Sequence, residues 1–255
     1  MRLARHQTGA GGYRAVPYRT SVLLLALETA ADVCGVALHD GQSVVAETSL
    51  HVARRHSAAL LPLCQALLDA SGRSVSDLTA VAVSAGPGSY TGLRIGASTA
   101  KGLCTASGAA LVPVPTLEAL ASQAVPHVET GSTIVAALLS RRGEVYAASY
   151  RSEERALVSL QRSGSLTLDA LPADWLGDAE TPSFVGPAAR TLAEAFELAD
   201  AHVLSTDLVR PGATAVARLG AALLARGETA DVAAFEPDYL KAFVATRPKP
   251  IFSAA

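Results

Sequence analysis

The sequence predicts an α/β protein built from two related lobes. Three observations carry that reading. Apolar, β-branched runs of strand length are interleaved with helical patterns. The order of three strands, a helix or loop, a strand, a Gly-Pro turn and a helix occurs twice. The two turns, Gly86-Pro87 and Gly186-Pro187, stand one hundred residues apart. A repeat of that size reads as an internal duplication. With 255 residues, half of them apolar, the chain is long enough for one large domain or two small lobes.

Residues 1–20 hold Arg2, Arg5, Arg14 and Arg19, no acid and a glycine cluster. They are expected to be a disordered extension outside the fold. A start of translation near Val22 fits this, and so does an organelle transit peptide. The first meander follows, with strands at 22–28, 33–39 and 43–48 and an Asp40-Gly41 hairpin signal. A helix comes next, with Leu60, Leu61, Cys64, Leu67 and Leu68 assigned to one face and Gly72 past its end. Pro62 is awkward there, because an interior proline costs about 3 kcal/mol. The helix is expected to start near it or kink. A strand at 80–83 leads into Gly86-Pro87-Gly88-Ser89-Tyr90-Thr91-Gly92-Leu93-Arg94-Ile95-Gly96, a glycine turn that opens a helix capped by Ser89 or Thr91.

The second half repeats the plan. Val112 to Pro115 is an extended connector, and Thr116 caps a helix to about Ala124. Strands are expected at 133–139, 144–150 and, more weakly, 157–161. Ser183 to Val185 then precedes Gly186-Pro187-Ala188 and a helix over 189–198. A helix over 214–226 ends at Gly227. The domain reading is a first lobe at 21–112, with the helix near 213–227 packing back on it. A smaller, degenerate second lobe occupies 113–212, and a proline-punctuated tail covers 228–255.

Composition excludes several function classes. Charge is 21 basic against 23 acidic, net −2, which does not favour unaided binding to a nucleic-acid backbone. No run of ~20 apolar residues is present to span a membrane. Cys34, Cys64 and Cys104 are odd in number and far apart, as expected of reduced thiols in a cytoplasmic protein. His51 and His56 are five apart, not the four that a helical zinc pair needs. Gly88-Ser89-Tyr90-Thr91-Gly92 has its serine one place off a nucleophile elbow.

Two copies of a meander followed by helices suggest the actin-like, ribonuclease H-like (ASKHA) architecture. In that fold the first turn of each lobe holds a phosphate of ATP. Here the first turn offers Glu28-Thr29-Ala30 without a glycine, and the second Leu139-Ser140-Arg141 without an acid. Any nucleotide site at Glu28 and Thr29 is therefore degenerate.

Leu23 to Thr29, Arg55-His56-Ser57 with Leu60-Leu61-Pro62, and above all Gly86 to Gly96 resemble the TsaB/YeaZ family. These are dimerisation subunits of the bacterial tRNA threonylcarbamoyladenosine synthase. Gly143 to Tyr146 and Pro237 to Lys241 are later matches. The resemblance implies a non-catalytic scaffold that activates a larger catalytic relative, TsaD, with a TsaE ATPase joining them. ATP and metal would be held by those partners, tRNA would be met through the complex, and the chain would have no cofactor of its own. A homodimer through the same surface is implied for the subunit alone. The rival from another class is a free-standing actin-like phosphotransferase acting on a small metabolite.

Gly92, Gly96 and Ala100 recur at four-residue spacing, so something comes close on that face: the chain's own sheet or another helix. The resemblance implies a partner helix. The expected interface is Leu60, Leu61 and Cys64 on one helix and Gly92, Leu93, Arg94, Gly96, Ala97 and Ala100 on the next. Arg94 would pair there with a carboxylate.

Overall fold

The computed structural model describes residues 22–240, apart from 53, 155, 173, 180, 199 and 200. The expectations for residues 1–20 and for the tail beyond Leu240 lie outside the described residues.

Five strands make the first sheet: β1 (Leu24–Glu28), β2 (Cys34–His39), β3 (Val44–Leu50), β4 (Ala80–Gly86) and β5 (Ala110–Pro115). Their order is β3-β2-β1-β4-β5. β1 to β3 form an antiparallel meander, and β4 and β5 run parallel to β1. Helices α1 (His56–Ala70) and α2 (Tyr90–Ser107) fill the crossovers, because parallel neighbours need a long connection. β1 is buried along its whole length, with alternate residues serving two cores. Leu25 and Leu27 meet α1 and α2, while Leu24 and Ala26 meet α5 (Ala213–Ala225). A strand covered on both faces reads as a continuous apolar run, which is how the sequence presents it.

The second sheet contains β6 (Thr133–Leu139), β7 (Glu144–Ser152), β8 (Leu157–Thr167), β9 (Ser183–Val185) and β10 (His202–Val203). Read from the meander edge its order is β8-β7-β6-β9-β10, with the same sense at every pairing. α3 (Thr116–Ser122) covers one face and α4 (Ala189–Ala195) the other. The two sheets thus share one topology, that of a duplicated actin-like fold. Gly86 and Gly186 close equivalent strands, both with positive φ (117° and 100°). A Cβ on either would strike a backbone carbonyl, that of Asp238 or Ala137, so glycine is required at both.

Several expectations need correction. α1 begins six residues before Pro62 and runs through it. Pro62 lies on the exposed face, where water can reach the Ala58 carbonyl that lost its donor. Leu61 is not on the apolar face with Leu60 and Cys64, but 59% exposed. α4 stops at Ala195, and β8 runs six residues further than expected, to Thr167. β10 is too short to carry a periodic signal.

Candidate functional site

The site is built where the β1–β2 turn meets the start of α2. Ser89 caps α2, its hydroxyl accepting the Gly92 N–H at 3.2 Å, and its own N–H donates to the Ala30 carbonyl at 2.7 Å. The turn lies so close that a Cβ on Gly88 would collide with the Ala30 carbonyl, one on Gly92 with the Thr29 carbonyl, and one on Gly96 with the Thr29 hydroxyl. Ala100 is fully buried in the core below. The glycine strip therefore faces inward and seats the chain's own turn, which corrects the expectation of an outward docking ridge. Leu60, Cys64, Leu93 and Ala97 are likewise core residues, each at most 6% exposed. Among the nine residues expected at the interface, only Leu61 and Arg94 are exposed.

Glu28 and Thr29 are also buried, and neither lines a cavity. The Glu28 carboxylate accepts the Ala30 N–H at 2.6 Å and the Ser84 hydroxyl at 2.5 Å. Burial pushes its pKa above the ordinary carboxylate range, against the pull of those hydrogen bonds. His56 braces the turn from α1. Its Nε2 lies 3.0 Å from the Ala31 carbonyl and 3.1 Å from that of Val33, so Nε2 must carry the proton. A carboxylate committed in this way does not fit a phosphate-bound Mg²⁺, which takes water and exposed carboxylate oxygens. At the equivalent second turn stands Leu139, 60% exposed. Among the described residues, no group of three His, Cys, Asp or Glu side chains could hold a metal.

Two surfaces remain. One is a groove of about 550 Å³ over the start of α2, lined by Ser57 of α1 and by Tyr90, Arg94, Ile95 and Ser98 of α2. The other is a cleft of about 670 Å³ between the lobes, lined by the first turn, Leu139 to Arg141, Arg210 and Asp238 to Leu240. Tyr90 belongs to both. Its ring meets that of Tyr239 at 4.8 Å between centroids, its hydroxyl receives a hydrogen bond from Arg94 at 3.3 Å, and the guanidinium lies 5.6 Å over its ring. The Asp238 N–H donates to the Ala85 carbonyl and pins the Tyr239 segment in place. Within the chain, Arg94 is thus held by a tyrosine. Sequence reasoning misses Ser57, Tyr90, Ile95 and Ser98. The signal that finds them is the face of α2 complementary to its buried stripe.

Residues 46–249 match the family described as TsaD, tRNA N6-adenosine threonylcarbamoyltransferase. Over 135 residues the chain is 38% identical to the tRNA threonylcarbamoyladenosine biosynthesis protein TsaB of Escherichia coli K12, covering 52% of this chain and 57% of that one. The solved structure of YeaZ from Pseudomonas aeruginosa matches at a TM-score of 0.75 and 28% identity, over 86% of this chain and all of that one. The chain belongs to that family, in its TsaB/YeaZ group. TsaB of Bacillus subtilis 168 is 33% identical over 153 residues, 60% of this chain and 64% of its own length. The chain therefore spans little more than half the length of the curated relatives it matches. The curated TsaB relatives carry in their names a part in tRNA threonylcarbamoyladenosine biosynthesis.

Proposed function

We propose that this chain is a non-catalytic subunit of the machinery that makes threonylcarbamoyladenosine in tRNA. It acts by pairing with a TsaD-like catalytic subunit through the outer face of α1 and α2. The observation that carries this reading is the exposed groove of Ser57, Tyr90, Arg94, Ile95 and Ser98, with Leu61 of α1 59% exposed. An exposed leucine and arginine beside a half-buried isoleucine and tyrosine are the composition of a docking patch. The buried glycine strip still contributes, because it holds the β1–β2 turn against α2 and so fixes where the groove lies.

The engaged Glu28 and the leucine at position 139 support a subunit without turnover of its own. On this proposal ATP and metal belong to the TsaD-like and TsaE-like partners, and tRNA is met through the complex. The same face pairs two copies when the partner is missing. The test is gel filtration of equimolar chain and TsaD-like partner. Leu61→Glu places a carboxylate in the patch without touching the core, and co-elution should be lost while the variant alone stays folded. Undiminished co-elution of Leu61→Glu together with Ile95→Glu would overturn the proposal.

A further inference from the structure

A second cavity, about 540 Å³, lies in the other lobe between the sheet and the loop that follows β8. It sits at the Thr133 end of β6, roughly 20 Å along the strand from the inter-lobe cleft. On this face the sheet is apolar where α4 covers it, through Val135, Ala137, Val145 and Ala147. Where the loop takes over it turns polar. Thr133 stands opposite Arg151, Val135 opposite Ser149, and Ser149 opposite Gln161. The β7–β8 register shifts on both sides of Ser149, an irregularity of the kind that re-aims a side chain.

A packing face would place apolar residues here, since burying an unpaired hydroxyl costs free energy. Ser149 is 2% exposed and lines the cavity. Among the described residues, the side chains of Ser149, Arg151 and Gln161 make no hydrogen bond or ion pair. The opposite wall carries Trp175, whose ring is stacked on Phe196 at 5.9 Å, and Asp178. The cavity thus combines a braced aromatic plate, an amide and hydroxyl that each donate and accept, a carboxylate and an unpaired guanidinium.

We propose that this cavity binds a nucleotide. The base stacks on Trp175 and offers its polar edge to Gln161 and Ser149. Asp178 accepts from the ribose hydroxyls, and the fork of Arg151 takes the phosphate. The ligand is a free mononucleotide or one residue of a single-stranded RNA, which share this chemistry. The inference does not rest on the α1/α2 pairing, which concerns the other lobe.

Trp175 is the only tryptophan in the chain, so its indole N–H gives one side-chain signal in ¹⁵N-labelled full-length protein. Titration with AMP, UMP and short single-stranded RNA should shift that signal saturably. Arg151→Ala, at an exposed position, should weaken the effect about tenfold, and Gln161→Ala should change the preference between bases. Equal saturation by mononucleotide and RNA identifies a free nucleotide; at least tenfold tighter RNA binding identifies a strand. No saturable shift with any of these up to about 5 mM, or an equal shift with ribose 5-phosphate, would overturn the proposal. So would binding unaltered in both variants.

Discussion

Gly92 and Gly96 show how a residue's job differs from its pattern. Their four-residue spacing reports a close approach, and pattern alone does not say from which side. The Thr29 carbonyl and hydroxyl occupy the space where their Cβ atoms would stand, so these glycines are structural. Gly92→Ala gains helix propensity of about 1 kcal/mol but drives a methyl into a backbone carbonyl that cannot rotate away. Overpacking of that kind costs about 1–3 kcal/mol. A lowered urea midpoint at unchanged slope is expected; an unchanged or raised midpoint would contradict the geometry. Glu28 makes a second residue-scale prediction. Its folded pKa is raised by burial, so the folded state holds its proton more tightly than the unfolded chain. Stability from this group is present below the ordinary carboxylate pKa and is lost as pH rises through the folded value. Glu28→Gln keeps the acceptor for Ala30 and removes the charge. Its stability relative to the unsubstituted chain should increase steadily from pH 4.5 upward in urea titrations, and a pH-independent difference would refute the burial argument.

At the scale of elements, α1 and α2 are the most legible parts of the chain and also the most easily misread. Their ends are read in part, since Ser89, one of two expected caps, opens α2 and Gly72 lies just past the end of α1, while the left-handed Gly108 that closes α2 is not foreseen. The buried face is also plain from the periodicity, because Leu60, Cys64, Leu67 and Leu68 recur at helical spacing. What periodicity cannot supply is the use of the other face, which carries no repeating signal beyond being mostly polar. That is why core residues are expected at an interface while Tyr90, Ile95 and Ser98 go unnoticed. Pro62 is a further case. A helix stop in isolation, it is tolerated here because Leu60, Leu67 and Leu68 of the same helix are buried in the core under it. Pro62→Ala restores the missing donor to Ala58 and should raise stability, by up to about 3 kcal/mol, read as a higher thermal midpoint. A lower midpoint would mean that the ring itself makes a contact worth more than the hydrogen bond. The thiols of α1 and α2 are buried, with Cys64 pushed up to about 12 and Cys104 to about 11. They should remain unreactive toward thiol reagents at neutral pH until the chain is unfolded.

At the scale of the whole molecule, the duplication is visible in the sequence because both copies keep a strand, a Gly-Pro turn and a helix. The decay of the second copy is visible too, at Leu139, where the turn lost its acid. The fate of the acid in the first copy is not visible, because Glu28 is buried against residues distant in sequence, with Ser84 bonded to it and His56 bracing its turn. One lobe therefore offers helix surface and the other a polar cavity, and Tyr90 links the helix surface to the cleft between the lobes. The account stands or falls on which surface meets the partner. Hydrogen–deuterium exchange of the chain, alone and mixed with its TsaD-like partner, reads this directly. Slower exchange confined to 57–65 of α1 and 90–99 of α2 is the predicted result. Protection that spares both helices and falls on β8, or on 138–146 with 236–240, would contradict it.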